Sequence, residues 1–218
     1  MSTRRVPVVE RIMKANDVQA MENRSIFDAN GVHVVNIMAS PGAGKTSLIL
    51  ETVRRLGDRV RMAAIEGDLA STVDTDKVRA GGIPAVQINT GGGCHLDANQ
   101  VGRALPDLPL EDLDLLFIEN VGNMVCPVGF YLGEHTRVAI SSIPEGDDKP
   151  HKYPKIFANV DVLVINKVDL LPYLAFDMDA FLGLVRGLNP EIEIFPVSCV
   201  TGEGFDAWTT WLHEQAKG

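Results

Sequence analysis

Cysteine and histidine are both scarce in this sequence, which has three cysteines and five histidines among its 218 residues. An odd and small number of cysteines does not suggest a disulfide framework, so each is expected to be a core residue or a ligand. One cysteine and one histidine nevertheless stand side by side at Cys94 and His95, directly after three glycines. A functional interpretation of the chain has to account for that pair.

Long apolar segments and an excess of positive charge are also missing. The longest mainly apolar runs, such as residues 160–165, are far too short to span a bilayer, and the basic N-terminus lacks the apolar core of a signal peptide. The net charge of −9 argues against a nucleic-acid backbone or an anionic membrane as the main partner. These absences predict a cytoplasmic protein with no nucleic-acid and no membrane partner.

The composition is that of an ordinary globular chain without repeats or low-complexity tracts. Hydrophobic residues make up 45% and charged residues 22%, and the length suits one sizeable domain. An amphipathic helix is predicted over residues 8–30, with Val9, Ile12 and Met13 on one face and Gly31 placed to end it. We therefore expect residues 1–30 to form an N-terminal helix packed on the core, and residues 31–218 to form the main domain.

Beyond Gly31, predicted strands alternate with predicted helices. The strands fall at residues 32–38, 60–65, 84–88, 113–118, 138–142, 160–165 and 192–197, and the helices at 47–56, 71–80, 96–105, 154–159, 179–188 and 205–215. Strands that are apolar throughout and separated by helices imply a mostly parallel sheet with helices on both faces. The predicted fold class is α/β, and ligands are expected beyond the carboxyl ends of the strands.

A glycine-rich turn follows the first predicted strand, with the sequence Ala39-Ser-Pro-Gly-Ala-Gly-Lys-Thr46. It matches the P-loop pattern at Gly44, Lys45 and Thr46 and departs from it at Ala39, where the pattern has glycine. Gly42 partly compensates inside the loop. A chance glycine turn is the alternative, but the strand-loop-helix context favours a single P-loop NTPase domain over residues 31–218.

The residue types of this loop suit a nucleoside triphosphate with Mg²⁺. Glycines let backbone N–H groups turn toward phosphate oxygens, and the following helix adds its positive dipole end. Lys45 brings a positive charge to the β- and γ-phosphates, and Thr46 offers a hydroxyl to Mg²⁺. The residues expected to contact the phosphates are Gly42, Ala43, Gly44, Lys45, Thr46 and Ser47.

A second motif, Asn166-Lys-Val-Asp169, stands at the end of the sixth predicted strand and is typical of guanine binding. The Asp169 carboxylate can accept hydrogen bonds from N1–H and the exocyclic amine of guanine, a pair of donors that adenine lacks. Lys167 can lie across the base. Ser198 and Cys199 follow the next strand, where the loop backbone is expected to contact guanine, with Cys199 as a packed small residue.

Two acidic strand ends are candidates for the magnesium and γ-phosphate side. The fourth predicted strand leads into Glu119-Asn-Val-Gly122, where the acid is expected to reach Mg²⁺ through water and the Gly122 N–H to contact the γ-phosphate. Asp68 ends another strand and is favoured as a site residue over a helix N-terminal charge. Thr46, Asp68 and Glu119 then suffice for Mg²⁺, which keeps several waters. Lys45, Asp68 and Glu119 are the predicted catalytic residues, with Asp68 orienting the attacking water.

The Cys94-His95 pair can converge on one atom only if the backbone is irregular there, which the preceding glycines allow. Cys126 is a third candidate ligand, seven residues after Glu119 on the segment expected to sense the γ-phosphate. Two thiolates and an imidazole suit Zn²⁺ or Ni²⁺ rather than Mg²⁺. The residue types alone leave open that the pair is ordinary packing. His135 is a weaker further candidate.

Together these motifs resemble those of HypB, a family of GTPases that help to insert nickel into nickel–iron hydrogenase. The resemblance covers nearly the whole chain, and its most specific stretches are Glu66-Gly-Asp-Leu-Ala-Ser-Thr72, Gly93-Cys-His-Leu-Asp-Ala98, Glu119-Asn-Val-Gly-Asn-Met-Val-Cys-Pro127 and Asn166-Lys-Val-Asp169. It implies a GTP-hydrolysing metallochaperone for hydrogenase maturation. It also implies that Cys94, His95 and Cys126 bind nickel or zinc at the interface of a GTP-dependent homodimer.

The resemblance further implies GTP or GDP, Mg²⁺, and Ni²⁺ and/or Zn²⁺ as cofactors, with nickel-delivery and hydrogenase-maturation proteins as partners. Slow hydrolysis to GDP and phosphate is expected, because Asn123 stands where signalling GTPases have a glutamine. The alternatives are a UreG-like chaperone for another nickel enzyme, a cobalamin-linked GTPase, or a nucleotide-binding interaction module without significant turnover. A nucleotide kinase is disfavoured because the sequence has no arginine-rich lid segment.

Overall fold

The computed structural model of the protein describes residues 8–68 and 73–217. The strands are β1 His33–Ala39, β2 Met62–Asp68, β3 Ala85–Asn89, β4 Leu115–Glu119, β5 Thr136–Ser142, β6 Val162–Asn166 and β7 Glu193–Val197. The helices are α1 Val8–Asn30, α2 Lys45–Leu56, α3 Val73–Ala80, α4 Ala98–Ala104, α5 Lys149–Lys152, α6 Pro154–Asn159, α7 Met178–Leu188 and α8 Phe205–Gln215. Short 3₁₀ turns cover Leu105–Asp107, Leu110–Asp112, Cys126–Gly129, Ile143–Glu145 and Val168–Tyr173.

Within the described residues the strands form one seven-stranded sheet in the order β3-β2-β4-β1-β5-β6-β7. Each described strand pair is parallel, as the near-continuous apolar character of the strands predicts. The predicted α/β fold class, a P-loop domain with helices on both faces, is confirmed. Because the strands are parallel, their carboxyl ends meet at one edge of the sheet, and the loops there carry the motifs.

The core lies on both faces of the sheet. On one face Leu48 of α2 and Trp208 of α8 pack against strand side chains such as Val164. On the other face Phe27 of α1 packs over the β2–β4 half, in a separate apolar cluster. A third cluster on that side of the chain includes Phe157 of α6. Side chains of both faces are fully buried, so the strands are fixed in register.

The predicted strands and helices are found, with ends that differ by a few residues. The helix predicted from residue 71 begins in residues outside the described ranges, and its described part is Val73–Ala80. Two features that the apolar pattern did not predict are the short helix α5 and the 3₁₀ turn Cys126–Gly129. Both contain a proline near their start, which suits a first turn but interrupts a longer periodic pattern.

The buried face of α1 differs from the predicted one. Ile12, placed on that face by its apolar side chain, is exposed, and Val9 lies outside the described side chains. The face that packs on the core instead presents Asn16, Asn23 and Phe27. Both asparagines bond to backbone groups of distant segments, so they are satisfied when buried.

A pair of histidines lies at the amino-terminal edge of the sheet, away from the motifs. The rings of His33 and His135 have centroids 4.9 Å apart. His33 Nε2 lies 2.9 Å from the Thr136 hydroxyl oxygen. Burial, together with the nearby charges of His135 and Arg24, lowers the pKa of His33 to about 4. This histidine therefore stays neutral in the folded protein at pH values where it is protonated in the unfolded chain.

We expect the protein to lose stability as the pH falls from about 6.5 to about 4, because the unfolded chain then gains a proton on His33 that the folded chain does not. Allowing for partial exposure, the loss from this group is about 1–3 kcal/mol. The measurement is the free energy of unfolding in urea, at several pH values, for the native protein and for His33→Asn. The difference between the two proteins gives the contribution of His33. The native protein should lose more stability than the variant over this range, and parallel curves would show the attribution to be wrong.

Candidate functional site

The P-loop joins the carboxyl end of β1, the central strand, to the start of α2. Ala39, the departure from the P-loop pattern, is the last residue of β1 and is fully buried in regular strand geometry. Gly44 has φ 104°, a left-handed conformation that glycine adopts without strain. Lys45 and Thr46 open α2, and Ser47 follows in its first turn. The loop thus places backbone N–H groups at the positive end of a twelve-residue helix.

The predicted base-binding motif lies against this loop. The Asn166 side-chain amide donates to the Ala43 carbonyl oxygen at 2.9 Å, and Lys167 Nζ donates to the Gly42 carbonyl oxygen at 2.7 Å. A Cβ atom at Gly44 would collide with the Asn166 amide. Two motifs separated by more than a hundred residues of sequence therefore meet as one unit.

Asp169 and the segment after β7 complete the base side. Asp169 Oδ1 is a buried acceptor that has no hydrogen-bond partner among the described residues, which fits a ligand that brings donors. The Cys199 thiol donates to Asn166 Oδ1 at 3.3 Å, and burial raises its pKa to about 11. Ser198 is fully buried and its Oγ accepts from the Val200 and Thr201 N–H groups. Cys199 is therefore a packed thiol, as its position predicts.

Glu119, at the end of β4, faces the start of α2. Thr46 Oγ1 donates to Glu119 Oε1 at 3.1 Å, and Lys45 Nζ lies 3.7 Å from the same oxygen. Burial raises the pKa of Glu119, against the lowering effect of the Lys45 charge. The other oxygen, Oε2, is buried and has no hydrogen-bond partner within the described ranges. A hydroxyl and a carboxylate oxygen side by side suit Mg²⁺.

Glu66 is a site residue that the sequence interpretation passed over in favour of Asp68. It lies on β2 directly beside Glu119 on β4, and the two residues are 3% and 5% exposed. Burial, and then the charge of Glu119, raises the pKa of Glu66 to about 10. Its Oε1 is likewise buried without a partner in the part of the chain that the structure describes. The alternation of strand side chains could have indicated it, because residues 66 and 68 share a face.

Asp68 and Gly122 lie at the same edge. Asp68 is the last residue of β2, and its carbonyl oxygen accepts from the Thr90 N–H at 3.0 Å. Gly122 packs directly on the P-loop, since a Cβ there would lie 2.9 Å from Pro41 Cγ and 3.1 Å from its backbone. The segment after β4 is thus in contact with the phosphate loop itself.

Cys94, His95 and Cys126 come together in the structure. Their ligand atoms all lie within 4.8 Å of one another. Cys94 Sγ is 3.5 Å from His95 Nδ1. A hydrogen bond with Cys126, and then burial, raises the pKa of Cys94, whereas burial lowers the pKa of His95. Two sulfurs and one imidazole nitrogen at this spacing form a donor set for a soft or borderline metal ion such as Zn²⁺ or Ni²⁺.

An aromatic ring supports the histidine of this triad. The Phe130 ring lies 4.0 Å from the His95 ring, centroid to centroid. Cys126 opens the 3₁₀ turn Cys126–Gly129, with Pro127 buried behind it. Phe130 follows that turn, so one segment supplies both a ligand and the surface that orients another ligand. The sequence gives no signal for this contact, because 35 residues separate Phe130 from His95.

His135, the weaker metal candidate, does not join the triad. Its Nδ1 accepts from the Val34 N–H at 3.0 Å, and its Nε2 lies 2.9 Å from Asp28 Oδ1. Both ring nitrogens are engaged at the opposite, amino-terminal edge of the sheet. Proximity to Cys126 in sequence was misleading, because the chain between the 3₁₀ turn Cys126–Gly129 and the start of β5 at Thr136 carries His135 to the other edge of the sheet.

Sequence and structure comparisons give a consistent family. The description CobW/HypB/UreG, nucleotide-binding domain, matches residues 33–196. The hydrogenase maturation factor HypB of Escherichia coli K12 is 50% identical over 216 residues, covering 99% of this chain and 74% of that protein.

Two solved structures are similar over most of their length. The crystal structure of hydrogenase maturation factor HypB from Archaeoglobus fulgidus has a TM-score of 0.87 and 41% identity, covering 93% of this chain and 99% of that one. That of HypB from Helicobacter pylori in complex with nickel has a TM-score of 0.88 and 36% identity, covering 93% and 95%.

Proposed function

This chain belongs to the HypB family of the CobW/HypB/UreG nucleotide-binding proteins, and on that basis we propose that it is a GTP-hydrolysing metallochaperone. It binds nickel or zinc and assists nickel insertion during maturation of nickel–iron hydrogenase. The observation that carries the proposal is the triad Cys94, His95 and Cys126, whose ligand atoms lie within 4.8 Å of one another. Cys126 lies on the segment that follows β4, and this segment touches the P-loop at Gly122. The names of the relatives favour hydrogenase maturation over service to another nickel enzyme.

The nucleotide in this proposal is GTP. Asp169 supplies the buried acceptor for guanine, Asn166 and Lys167 join the base site to the P-loop, and the backbone after Ser198 closes the base side. Gly42 to Ser47 surround the phosphates, with Lys45 as the charge partner of the transferred phosphoryl group. The neighbouring Glu119 keeps Lys45 in place, since their charged atoms lie 3.7 Å apart.

Mg²⁺ is the proposed resident cofactor. Thr46 and Glu119 offer oxygen atoms that fit it, Asp68 lies at the same sheet edge, and Glu66 adds a buried carboxyl group beside Glu119. When bound, Mg²⁺ neutralises charge on the β- and γ-phosphates. Asp68 is the proposed residue for orienting the attacking water. Asn123 stands where signalling GTPases have a glutamine, so we expect slow turnover.

Nickel or zinc is the proposed cargo. Three protein donors leave an open position at a metal that takes four ligands, which suits a site that receives and releases its ion. The site lies at the protein surface, since Cys94 is exposed. A second copy of the chain can approach it there, and we propose a homodimer that forms with GTP around this site. The proposed partners are nickel-delivery and hydrogenase-maturation proteins in the cytoplasm. No helix in the described residues is long and apolar enough to span a membrane.

The triad predicts that Cys126→Ala weakens Ni²⁺ and Zn²⁺ binding by at least roughly 10²-fold, because loss of a ligand costs more than loss of an outer-shell contact. GTP affinity should stay within about threefold. Cys199→Ala is the matched control, because it removes a thiol that does not face the triad. The measurement is titration of each purified protein with Ni²⁺ and Zn²⁺, with fluorescent GTP binding in parallel. Equal loss of GTP binding and metal binding in Cys126→Ala would make Cys126 a structural residue.

Measured hydrolysis of GTP distinguishes the proposed GTPase from an interaction module that binds nucleotide without hydrolysing it. Phosphate release from GTP should be slow but measurable, and should scale with protein concentration. A rate equal to that of buffer alone would favour the interaction module over the GTPase.

A further inference from the structure

One side chain, that of Asn123, joins the two halves of the metal triad. Its Nδ2 donates to the Cys94 carbonyl oxygen at 3.2 Å. Its Oδ1 accepts from the Val125 N–H at 2.8 Å and from the Cys126 N–H at 3.4 Å. Cys94 and Cys126 lie on different loops, after β3 and after β4. Asn123 therefore fixes the backbone of one ligand relative to the backbone of another.

Asn123 also follows the residue that touches the phosphate loop. Gly122 lies so close to Pro41 that a Cβ at Gly122 would be 2.9 Å from the Pro41 side chain. If a change of the nucleotide bound at the P-loop moves Gly122, the next residue, Asn123, must move with it. The amide of Asn123 is thus one peptide unit away from the P-loop contact and one hydrogen bond away from each cysteine backbone.

The residue after the Cys94-His95 pair, Leu96, is held in place by a hydrogen bond to a buried asparagine, Asn120. Asn120 is fully buried, and its Oδ1 accepts from the Leu96 N–H at 3.0 Å. Its Nδ2 donates to the Asn36 side-chain oxygen at 3.3 Å, and Asn36 lies on the central strand β1. The residue after His95 is therefore tied to the sheet, whereas Cys94 is tied to the half-buried Asn123. Displacement of Asn123 changes the position of Cys94 while Leu96 stays in place.

We infer that Asn123 is the positioning residue through which the γ-phosphate controls metal affinity. This inference rests on the proposed function, because it concerns the regulation of the same metal site. Loss or gain of a γ-phosphate shifts Gly122 and Asn123, and the hydrogen bonds of the Asn123 side chain carry that shift to the backbones of Cys94 and Cys126. By linkage, the factor by which GTP changes metal affinity is also the factor by which the metal changes the preference for GTP over GDP.

Two substitutions separate the hydrogen bonds. Asn123→Ala removes all three. Asn123→Asp keeps the acceptor for the Val125 and Cys126 N–H groups but cannot donate to the Cys94 carbonyl oxygen. The added carboxylate changes metal affinity in both nucleotide states by a similar factor, so the ratio between the states remains informative. Asn189→Ala is the matched control, because Asn189 donates to the distant Val160 carbonyl oxygen and accepts from the N–H two residues ahead, in the same pattern but far from the triad.

The experiment is titration with Ni²⁺ alone of the full chain loaded with GDP or with a non-hydrolysable GTP analogue. The readout is the ratio of the two Ni²⁺ dissociation constants. We expect a ratio of roughly 5–150-fold in the native protein and in Asn189→Ala, the range of typical coupling between sites. In Asn123→Ala and Asn123→Asp the ratio should fall to within about twofold of unity, with Ni²⁺ and nucleotide still bound.

Each other outcome overturns a defined statement. Native-like ratios in both Asn123 variants would overturn the role of Asn123 and leave the metallochaperone proposal standing. Loss of Ni²⁺ binding in both nucleotide states would make Asn123 a structural support of the triad and would also overturn its role in coupling. A ratio of unity in the native protein would overturn nucleotide control itself, and with it this inference.

Discussion

Replacing Asp169 by asparagine is expected to lower the affinity for GTP by roughly 10²–10⁴-fold and to allow xanthosine triphosphate to bind in its place. Two hydrogen bonds from guanine to a carboxylate, each worth about 1.5–3 kcal/mol, account for that range. Asp169 Oδ1 is a buried acceptor awaiting a donor. An asparagine amide offers N–H where xanthine has a second carbonyl oxygen, and it repels the exocyclic amine of guanine.

The measurement is competition of unlabelled GTP and xanthosine triphosphate against a fluorescent nucleotide, with hydrolysis of each followed as phosphate release. Asp179→Asn is the matched control, since it makes the same chemical change at an exposed position on α7. The control should keep the native preference for GTP. If Asp169→Asn binds GTP as tightly as the native protein, the guanine site lies elsewhere and the role of the Asn166-Lys-Val-Asp169 motif fails.

Replacing Lys45 by alanine is expected to reduce the rate constant of GTP hydrolysis by roughly 10²–10³-fold, the usual cost of losing one group that stabilises developing charge. Lys45 is half of an almost buried ion pair with Glu119. Without Lys45, the phosphates lie near the Glu119 carboxylate without the ammonium group that is 3.7 Å from it in the native protein. Nucleotide binding should weaken as well.

Single-turnover hydrolysis at saturating GTP checks this, because it separates the chemical step from binding. Lys152→Ala, on the exposed surface of α5, is the control and should hydrolyse GTP at the native rate. A native rate in Lys45→Ala would show that Lys45 has no role in hydrolysis and only stabilises the P-loop through its ion pair with Glu119. A Lys45→Arg variant tests geometry, since a guanidinium keeps the charge but not the point-like ammonium.

Much of the fold could be predicted because its determinants are local. The apolar run at residues 162–165 is short and rich in β-branched residues, which favours a strand buried on both faces. Turns such as the P-loop are marked by their glycines. The nucleotide motifs follow the strands directly, so a parallel sheet brings them to one edge. The prediction of Cys94, His95 and Cys126 as a metal site depended on the resemblance to HypB, because the residue types alone left ordinary packing open.

What the sequence could not provide is the set of buried amides. Asn23 bonds to the Ala98 and Leu132 carbonyl oxygens, 75 and 109 residues away, and Asn120 bonds to Leu96 and Asn36. Asparagine is usually a surface or turn residue, so its periodic pattern on α1 was not interpreted as a buried face. Glu66 was passed over for a related reason, since its burial depends on the β2–β4 pairing rather than on its own neighbours in sequence.

The strand order separates the segment that selects the base from the loops that bind the metal, so the nucleotide specificity can be changed without altering the metal site. The proposed base-binding segments follow β6 and β7, on one side of β1, whereas the proposed metal-binding loops follow β3 and β4, on the other side. The P-loop, which follows the central strand β1, lies between the two halves. In Asp169→Asn, the metal affinity should therefore depend on xanthosine triphosphate instead of GTP. In a cell extract, xanthosine triphosphate would then control this variant selectively, while GTP continues to bind the other GTPases.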